Sequence, residues 1–397
     1  MNTARVNQLD LMPPPVVRTV QTRSLAVGVI FGIVAVIFGI ASPDQFFRSY
    51  LLAYMLWLGV TLGCMAFLMI QHLTGGTWGA VIQRVLEAGC GTIPLMAVMF
   101  VPILAGMRRL YVWTDPAFVG KEQHLKDLSR SYLNPSGFVI RAVIYFAIWF
   151  VLIFLLRSWS RAQDNPPVRA VSKLRSLSAA GLILYAFSIS FAVIDWVMSL
   201  TPPWISTIYP MIFMAGQGLT ALCFVVAIAA LLYRYQPMST LLKADDVQDL
   251  GKLMLAFVML WAYFSFSQLL IIWSGNLPDE ISFFTRRFAG GWQRVGIFLA
   301  LFHFAIPFVL LLSRRFKRDP LRLVKLAVWL ILARYVDLHW YIAAAFHAGV
   351  YNHWLDVFMP MATGGIWLAL FFRNLARRPL LAAYDPRAQI LMEPAHD

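Results

Sequence analysis

Arg334, Asp337 and His339 lie within residues 323–346, an otherwise apolar run long enough to cross a bilayer. An ionised side chain in hydrocarbon costs at least ~2.5–3.5 kcal/mol, so such residues are kept for pairing, proton movement or ligand contact. Helical spacing puts positions 334, 337 and 341 on one face, so Arg334 and Asp337 can pair with Tyr341 alongside. Two readings fit: an ion pair that locks helix packing, or a proton-relay or quinone-headgroup site. His339 points to a different face.

Asp195 is a second intramembrane acid, within residues 176–200, on a polar stripe with Ser188 and Ser199. No base on that helix neutralises it. The sequence predicts a desolvated carboxyl suited to reversible protonation, or a neutral acid bonded to a helix carbonyl. His303 stands mid-run in 293–312, as a packing histidine or as a relay or quinone contact. Haem ligation needs facing histidine pairs, which this chain lacks. Gln217, Gln268, Ser265 and Ser267 supply interhelical hydrogen bonds, and Gln268 is also a candidate quinone contact.

Glu87, His72, His347, His353 and Asp356 fall near predicted helix ends, where interfacial solvation accounts for them. Gly75-Gly76 and Gly290-Gly291 mark turns and no phosphate-binding loop. The catalytic set is empty, and no metal site is predicted. The candidate proton-relay residues are Asp195, Asp337, Arg334, His303, His339, Tyr341 and Ser188. The candidate quinone contacts are Arg334, Asp337, His339 and Gln268.

The elements that must hold these groups follow from composition. Of 397 residues, 60% are hydrophobic and only 13% charged, about half the charged share of a soluble domain. The deficit comes as long uncharged runs, so the expected class is an all-α integral membrane protein. The net charge of +14 sits between those runs, as topology signal and lipid-headgroup contact, and nucleic-acid binding is excluded. Cys64, Cys90 and Cys223 are isolated. They carry neither a haem-attachment motif nor an iron–sulfur cluster pattern, and read as small buried hydrophobes.

Ten runs approach the ~20 residues a spanning helix needs: 25–41, 50–70, 91–111, 138–156, 176–200, 208–233, 251–273, 293–312, 323–346 and 355–372. Residues 1–24 and 373–397 are expected tails. Most loop Lys and Arg, Arg84 among them, fall on the side shared by the termini, which the positive-inside rule places in the cytoplasm.

An internal repeat organises the spans. Phe146–Leu152 (F-A-I-W-F-V-L) recurs as F-A-I-P-F-V-L from Phe304, at an offset of 158. Gly91, Leu95, Val98 and Met99 match Gly251, Leu255, Val258 and Met259 at 160, and Tyr50, Met55, Gly59 and Cys64 match Tyr209, Met214, Gly218 and Cys223 at 159. The unit is four helices, an even number, so both copies enter the membrane from the same side. The predicted architecture is ten transmembrane helices. Two parallel-repeat four-helix bundles (helices 2–5 within 42–200, helices 6–9 within 201–346) are flanked by helix 1 (25–41) and helix 10 (347–372). The repeat aligns Tyr145 with His303 at 158; its last helices set Asp195 against Asp337 at a shorter offset of 142, with both acids in the outer half of the membrane.

Several segments resemble the polysulfide-reductase-type (NrfD-like) membrane subunits of alternative complex III, a quinol:electron-acceptor oxidoreductase. They are Y-L-L-A-Y-M-L-W-L-G from Tyr50, H-L-T-G-G-T-W-G from His72, W-S-G-N-L-P from Trp273 followed by Gly290-Gly291-Trp292, and R-Y-V-D-L-H-W from Arg334. The likeness covers roughly residues 20–375. Of the family's two paralogous membrane subunits, the length, short tails and H-L-T-G-G turn are more similar to the F type (ActF-like) than to the C type. The resemblance implies two four-helix bundles with flanking helices and no haem or iron–sulfur centre in this chain. It implies menaquinone or menaquinol as the small molecule. The implied partners are an iron–sulfur subunit, multihaem cytochrome c subunits and a paralogous quinone-binding membrane subunit. It also implies a role in menaquinol oxidation or coupled proton movement in a bacterial inner membrane. A secondary transporter is the runner-up, against which the runs show few Gly or Pro breaks near mid-membrane. A scaffold that docks partners and lipids is the third reading.

Overall fold

A computed structural model describes residues 11–120, 123–161 and 171–382. Nine helices within them are long and apolar enough to cross a membrane. They are α1 (Val16–Ala41), α2 (Pro43–Thr74), α3 (Thr77–Ala105), α4 (Pro135–Arg161), α5 (Val171–Leu200, helical to Trp196), α6 (Tyr209–Leu232), α7 (Ala244–Gly275), α8 (Trp292–Leu312) and, last in the chain, Trp354–Leu375. Before that last helix, which we number α10, lies α9 (Pro320–Phe346), of 27 residues, carrying Arg334 and Asp337. The described residues form no strand, and the chain is an all-α membrane protein.

Its outer surface suits hydrocarbon. Ile30, Ile33 and Ile40 on α1, Val143 and Phe154 on α4, and Tyr263 and Phe266 on α7 are exposed, and such continuous apolar area is tolerated only where lipid or a partner covers it. At the centre, α2 and α6 pack against each other; α2 also meets α3, α5, α9 and α10, and α6 also meets α5, α7 and α9. The central pair approaches closely because Gly63 has no side chain: a Cβ there would come within 2.5 Å of the Gln217 carbonyl oxygen. α1 lies along α10 by the same device, since a Cβ on Gly28 would sit 2.6 Å from the Ile366 nitrogen. The three cysteines are buried, as expected.

The two ends of the bundle are distinct. Leu380 donates its amide to the Leu11 carbonyl at 2.8 Å, so the described chain starts and finishes at one end. At the other end the connecting loops interlock. Tyr111 Oη donates to the Trp196 carbonyl (3.0 Å), Trp204 Nε1 to that of Glu280 (3.0 Å) and Trp292 Nε1 to that of His347 (3.2 Å). Both glycine pairs make turns as predicted, all four residues having positive φ.

Several boundaries differ from the sequence expectation. The first helix begins at Val16 rather than 25, because apolarity marks the hydrocarbon stretch and not where helical hydrogen bonding stops. Residues 1–10 and 383–397 of the expected tails fall outside the described residues. The third span covers 77–105 rather than 91–111. Arg84, assigned to a loop from its charge, is instead buried in that helix and paired with Glu87 at 2.8 Å, so neither charge ends it.

Candidate functional site

Arg334 and Asp337 do pair. On α9 the Arg334 guanidinium bonds Asp337 Oδ2, with the two residues 2% and 1% exposed. Gly216 on α6 makes room for the arginine, because a Cβ there would collide with the guanidinium. Trp261 Nε1 from α7 donates to the same Oδ2 at 3.2 Å. The other carboxylate oxygen, Oδ1, is buried without a hydrogen-bond partner.

Asp337 lines a cavity of about 730 Å³ bounded by α7, α8, α9 and the short helix Pro278–Arg287. Most of its wall is apolar or aromatic. Met259, Tyr263, Phe266 and Ile297, at its rim, are exposed on the lipid-facing surface, so the cavity opens sideways into the bilayer. Besides Asp337 Oδ1, three lining residues present buried polar atoms without partners: both amide atoms of Gln268, Ser265 Oγ and Trp340 Nε1. Buried polar atoms are nearly always satisfied, so several converging on one cavity suggest groups kept for a ligand.

The wall from α8 is irregular. Residues Leu299–Ala305 form a π-helical turn, a feature that recurs at functional sites because it re-aims side chains. Pro307, which has no amide hydrogen to donate, lies two residues beyond its end. His303, in this turn, is fully buried and both its ring nitrogens lack partners. It meets the Trp261 ring edge-on at 4.2 Å between centroids. It is thus one residue removed from Asp337, through an indole that accepts no proton. Tyr341 lines the cavity and packs against Tyr209 and Phe213.

Arg287 closes the cavity from the loop end. It is 1% exposed and donates to the carbonyls of Trp340 (3.3 Å), Phe283 (3.0 Å) and Tyr341 (2.9 Å). Burial pushes its pKa down to about 10, so it remains a cation near neutrality. Arg287 lies between two predicted spans, where sequence alone reads a solvated loop charge. Its burial depends on the fold of residues 278–291, which no helical periodicity reveals.

His339 is not in this group. Its Nε2 lies 3.8 Å from Asp356 Oδ2 on α10, where Asp356 also accepts from Ser49 (2.5 Å) and Gln45 (3.2 Å).

Asp195 corrects a sequence expectation. No base on its own helix faces it, but Arg141 from α4 grips both its oxygens, Nε to Oδ2 at 2.8 Å and Nη2 to Oδ1 at 2.9 Å. Tyr145 Oη adds a bond at 2.7 Å. Arg141 lies inside an apolar run 54 residues from its partner, and single-helix spacing carries no signal for that pair. Ser188 spends its hydroxyl on Trp149 Nε1 and the Tyr185 carbonyl, and Ser199 on the Asp195 carbonyl. The expected polar stripe is therefore closed on itself, and Ser188 does not reach the acid. Glu87 also departs from the expectation of an interfacial group. It is 2% exposed and accepts from Arg84, Gln83, Ser160 and Arg378.

No family profile matches this chain, and no curated protein is similar to it.

Proposed function

We propose that this protein is a quinone-associated membrane subunit of a quinol:electron-acceptor oxidoreductase of the alternative complex III type, with the quinone headgroup in the cavity beside Asp337. The observation that carries this reading is the convergence of Asp337 Oδ1, Gln268 and Trp340 Nε1, all buried and unpartnered, on an apolar cavity open to lipid. A quinone needs that combination: donors and an acceptor for two oxygens, a ring-sized apolar slot, and a sideways exit for an isoprenoid tail. Menaquinol, when bound, supplies two electrons and two protons. Gln268 and Trp340 would donate to its oxygens, and Asp337 Oδ1 would accept from a hydroxyl. Arg334 and Trp261 hold that carboxylate in place through the opposite oxygen.

The finer architecture belongs to the same proposal. Ten spans in two parallel four-helix bundles, α2–α5 and α6–α9, with α1 and α10 outside them, agree with the central α2–α6 pair and the exchanged contacts α2–α9 and α6–α5. The termini would be cytoplasmic and the cavity in the outer half of a bacterial inner membrane. As the resemblance implies, electrons would pass through iron–sulfur and multihaem cytochrome c partners beside a paralogous membrane subunit.

The test uses quenching of tryptophan fluorescence in the purified protein, where Trp261 and Trp340 line the cavity, titrated with menadiol and menadione. Gln268→Leu should weaken both ligands. Asp337→Asn should weaken the reduced one by about tenfold to a hundredfold, the worth of one hydrogen bond to a charged group. Wild-type titrations without quenching, or variants that bind like wild type, would overturn the proposal. A native pull-down that returns a lone protein catalysing solute uptake would favour the transporter.

A further inference from the structure

We infer that the cavity between α7, α8 and α9 selects a headgroup in its deprotonated, negatively charged form, and that Arg287 supplies the matching positive charge. The inference rests on the reading of that cavity as a quinone site.

The argument is one of charge balance in a space without water's screening. Arg287 lines the cavity, and its hydrogen bonds all go to neutral carbonyls. Its guanidinium lies 3.5 Å above the Phe283 ring and 5.2 Å from that of Trp340, also neutral. Among the described residues no carboxylate pairs with it. Of the other titratable groups, Asp337, Tyr263 and Tyr341 line this space; Arg334 lies behind Asp337 and Tyr209 behind Tyr341, with Arg286 toward the surface and His303 behind Trp261. Arg334 and Asp337 compensate each other, and phenols stay neutral near pH 7. One buried guanidinium is left over. An uncompensated buried charge is expensive, and carbonyl dipoles offset only part of that cost. An anionic headgroup entering from the lipid would restore neutrality, whereas a neutral one would leave the cost in place. Two chemistries share this description, an ionised quinone hydroxyl and a fatty-acid carboxylate.

Lawsone, a hydroxynaphthoquinone whose neutral and ionised forms absorb at different visible wavelengths, reads the bound state directly. Menadione, which has no ionisable hydroxyl, is the neutral control. The wild-type protein should bind lawsone as the anion at a pH below its ionisation in free solution. Arg287→Gln should weaken the anion about tenfold, equivalent to one unit in its apparent pKa, and leave menadione unchanged. Arg287→Lys should restore most of the loss. Identical spectra for wild type and Arg287→Gln would overturn the inference. Should Arg287→Gln fail to fold, Asp337→Asn replaces it. Removing the competing negative charge should tighten lawsone, and unaltered binding overturns the inference. Dodecanoate binding without either quinone would keep the charge argument and remove the quinone reading. Failure of all three ligands would remove both.

Discussion

Asp195 and Asp337 both lie toward the ends of long helices and both meet an arginine, but the arginines come from different places. Arg141 reaches Asp195 from the neighbouring helix α4 and fills both carboxylate oxygens. Arg334 sits three residues before Asp337 on the same helix and fills one. A pair that bridges two helices fixes their separation, and α4 and α5 pack closely there around Trp149 and Trp196. A pair within one helix neutralises charge without tying that helix to its neighbours. At that carboxylate α7 meets α9 through the Trp261 bond to Oδ2, and Oδ1 is left free on the cavity wall. The same two residue types thus serve adhesion in one region and presentation of a carboxylate in the other.

The largest effect that could break this comparison is in the bridging pair. Arg141→Leu leaves a fully buried carboxylate with Tyr145 as its remaining side-chain donor, and breaking such a pair typically costs about 3–5 kcal/mol. The variant should unfold at clearly lower temperature in detergent. The double variant Arg141→Leu with Asp195→Leu should recover most of the loss, because two apolar side chains leave no charge stranded. An Arg141→Leu protein as stable as wild type would show that the pair does not hold α4 to α5.

A subtler variant probes the presenting pair without touching a polar atom. Gly216→Ala places a methyl group where the Arg334 guanidinium lies. Overpacking of this kind costs about 1–3 kcal/mol, and here the yielding group is the arginine that holds Asp337. Menadiol binding should fall while the fold persists, measurable by tryptophan quenching alongside a thermal melt. Normal binding would mean that the carboxylate is held by Trp261 alone.

The two regions were unequally legible in the sequence. Arg334 and Asp337 are three apart on one helix, so local periodicity sufficed to pair them. Asp195 was recognised as an intramembrane acid, but its partner is 54 residues away, and single-helix spacing carries no information about which face of α4 meets α5. The apolar runs located the spanning helices, yet missed that mutually neutralised charges such as Arg84 and Glu87 can lie within one. The cavity was not legible at all. It depends on the π-helical turn of α8 and on how the 278–291 segment folds back to bury Arg287, and both are set by tertiary packing. Gln268 and His303 stand out in the sequence by type alone, and packing separates them, one into the cavity wall and one behind Trp261.

The loops beside the two carboxylate-bearing regions offer the smallest test. In the first, Tyr111 is anchored to the Trp196 carbonyl; burial raises its pKa, so it stays neutral across the acid range. In the second, the His347 carbonyl accepts from Trp292 while the imidazole stacks on Tyr351 at 4.6 Å. Burial and the nearby Arg48 hold the His347 pKa below its ordinary value of 6.5, with His339 adding to the effect and Asp356 partly offsetting it. The folded state therefore prefers the neutral ring, and the unfolded loop takes up the proton more readily. That stability is complete above the unfolded pKa and declines as pH falls through about 6.5. Acidification from about pH 7.5 to about pH 5.5 should speed amide hydrogen exchange in residues 347–353 relative to residues 107–114. His347→Gln should abolish that difference. Equal acceleration of both loops in wild type would mean that the loop after α9 has no titrating group of its own, and that the two regions differ only at their carboxylates.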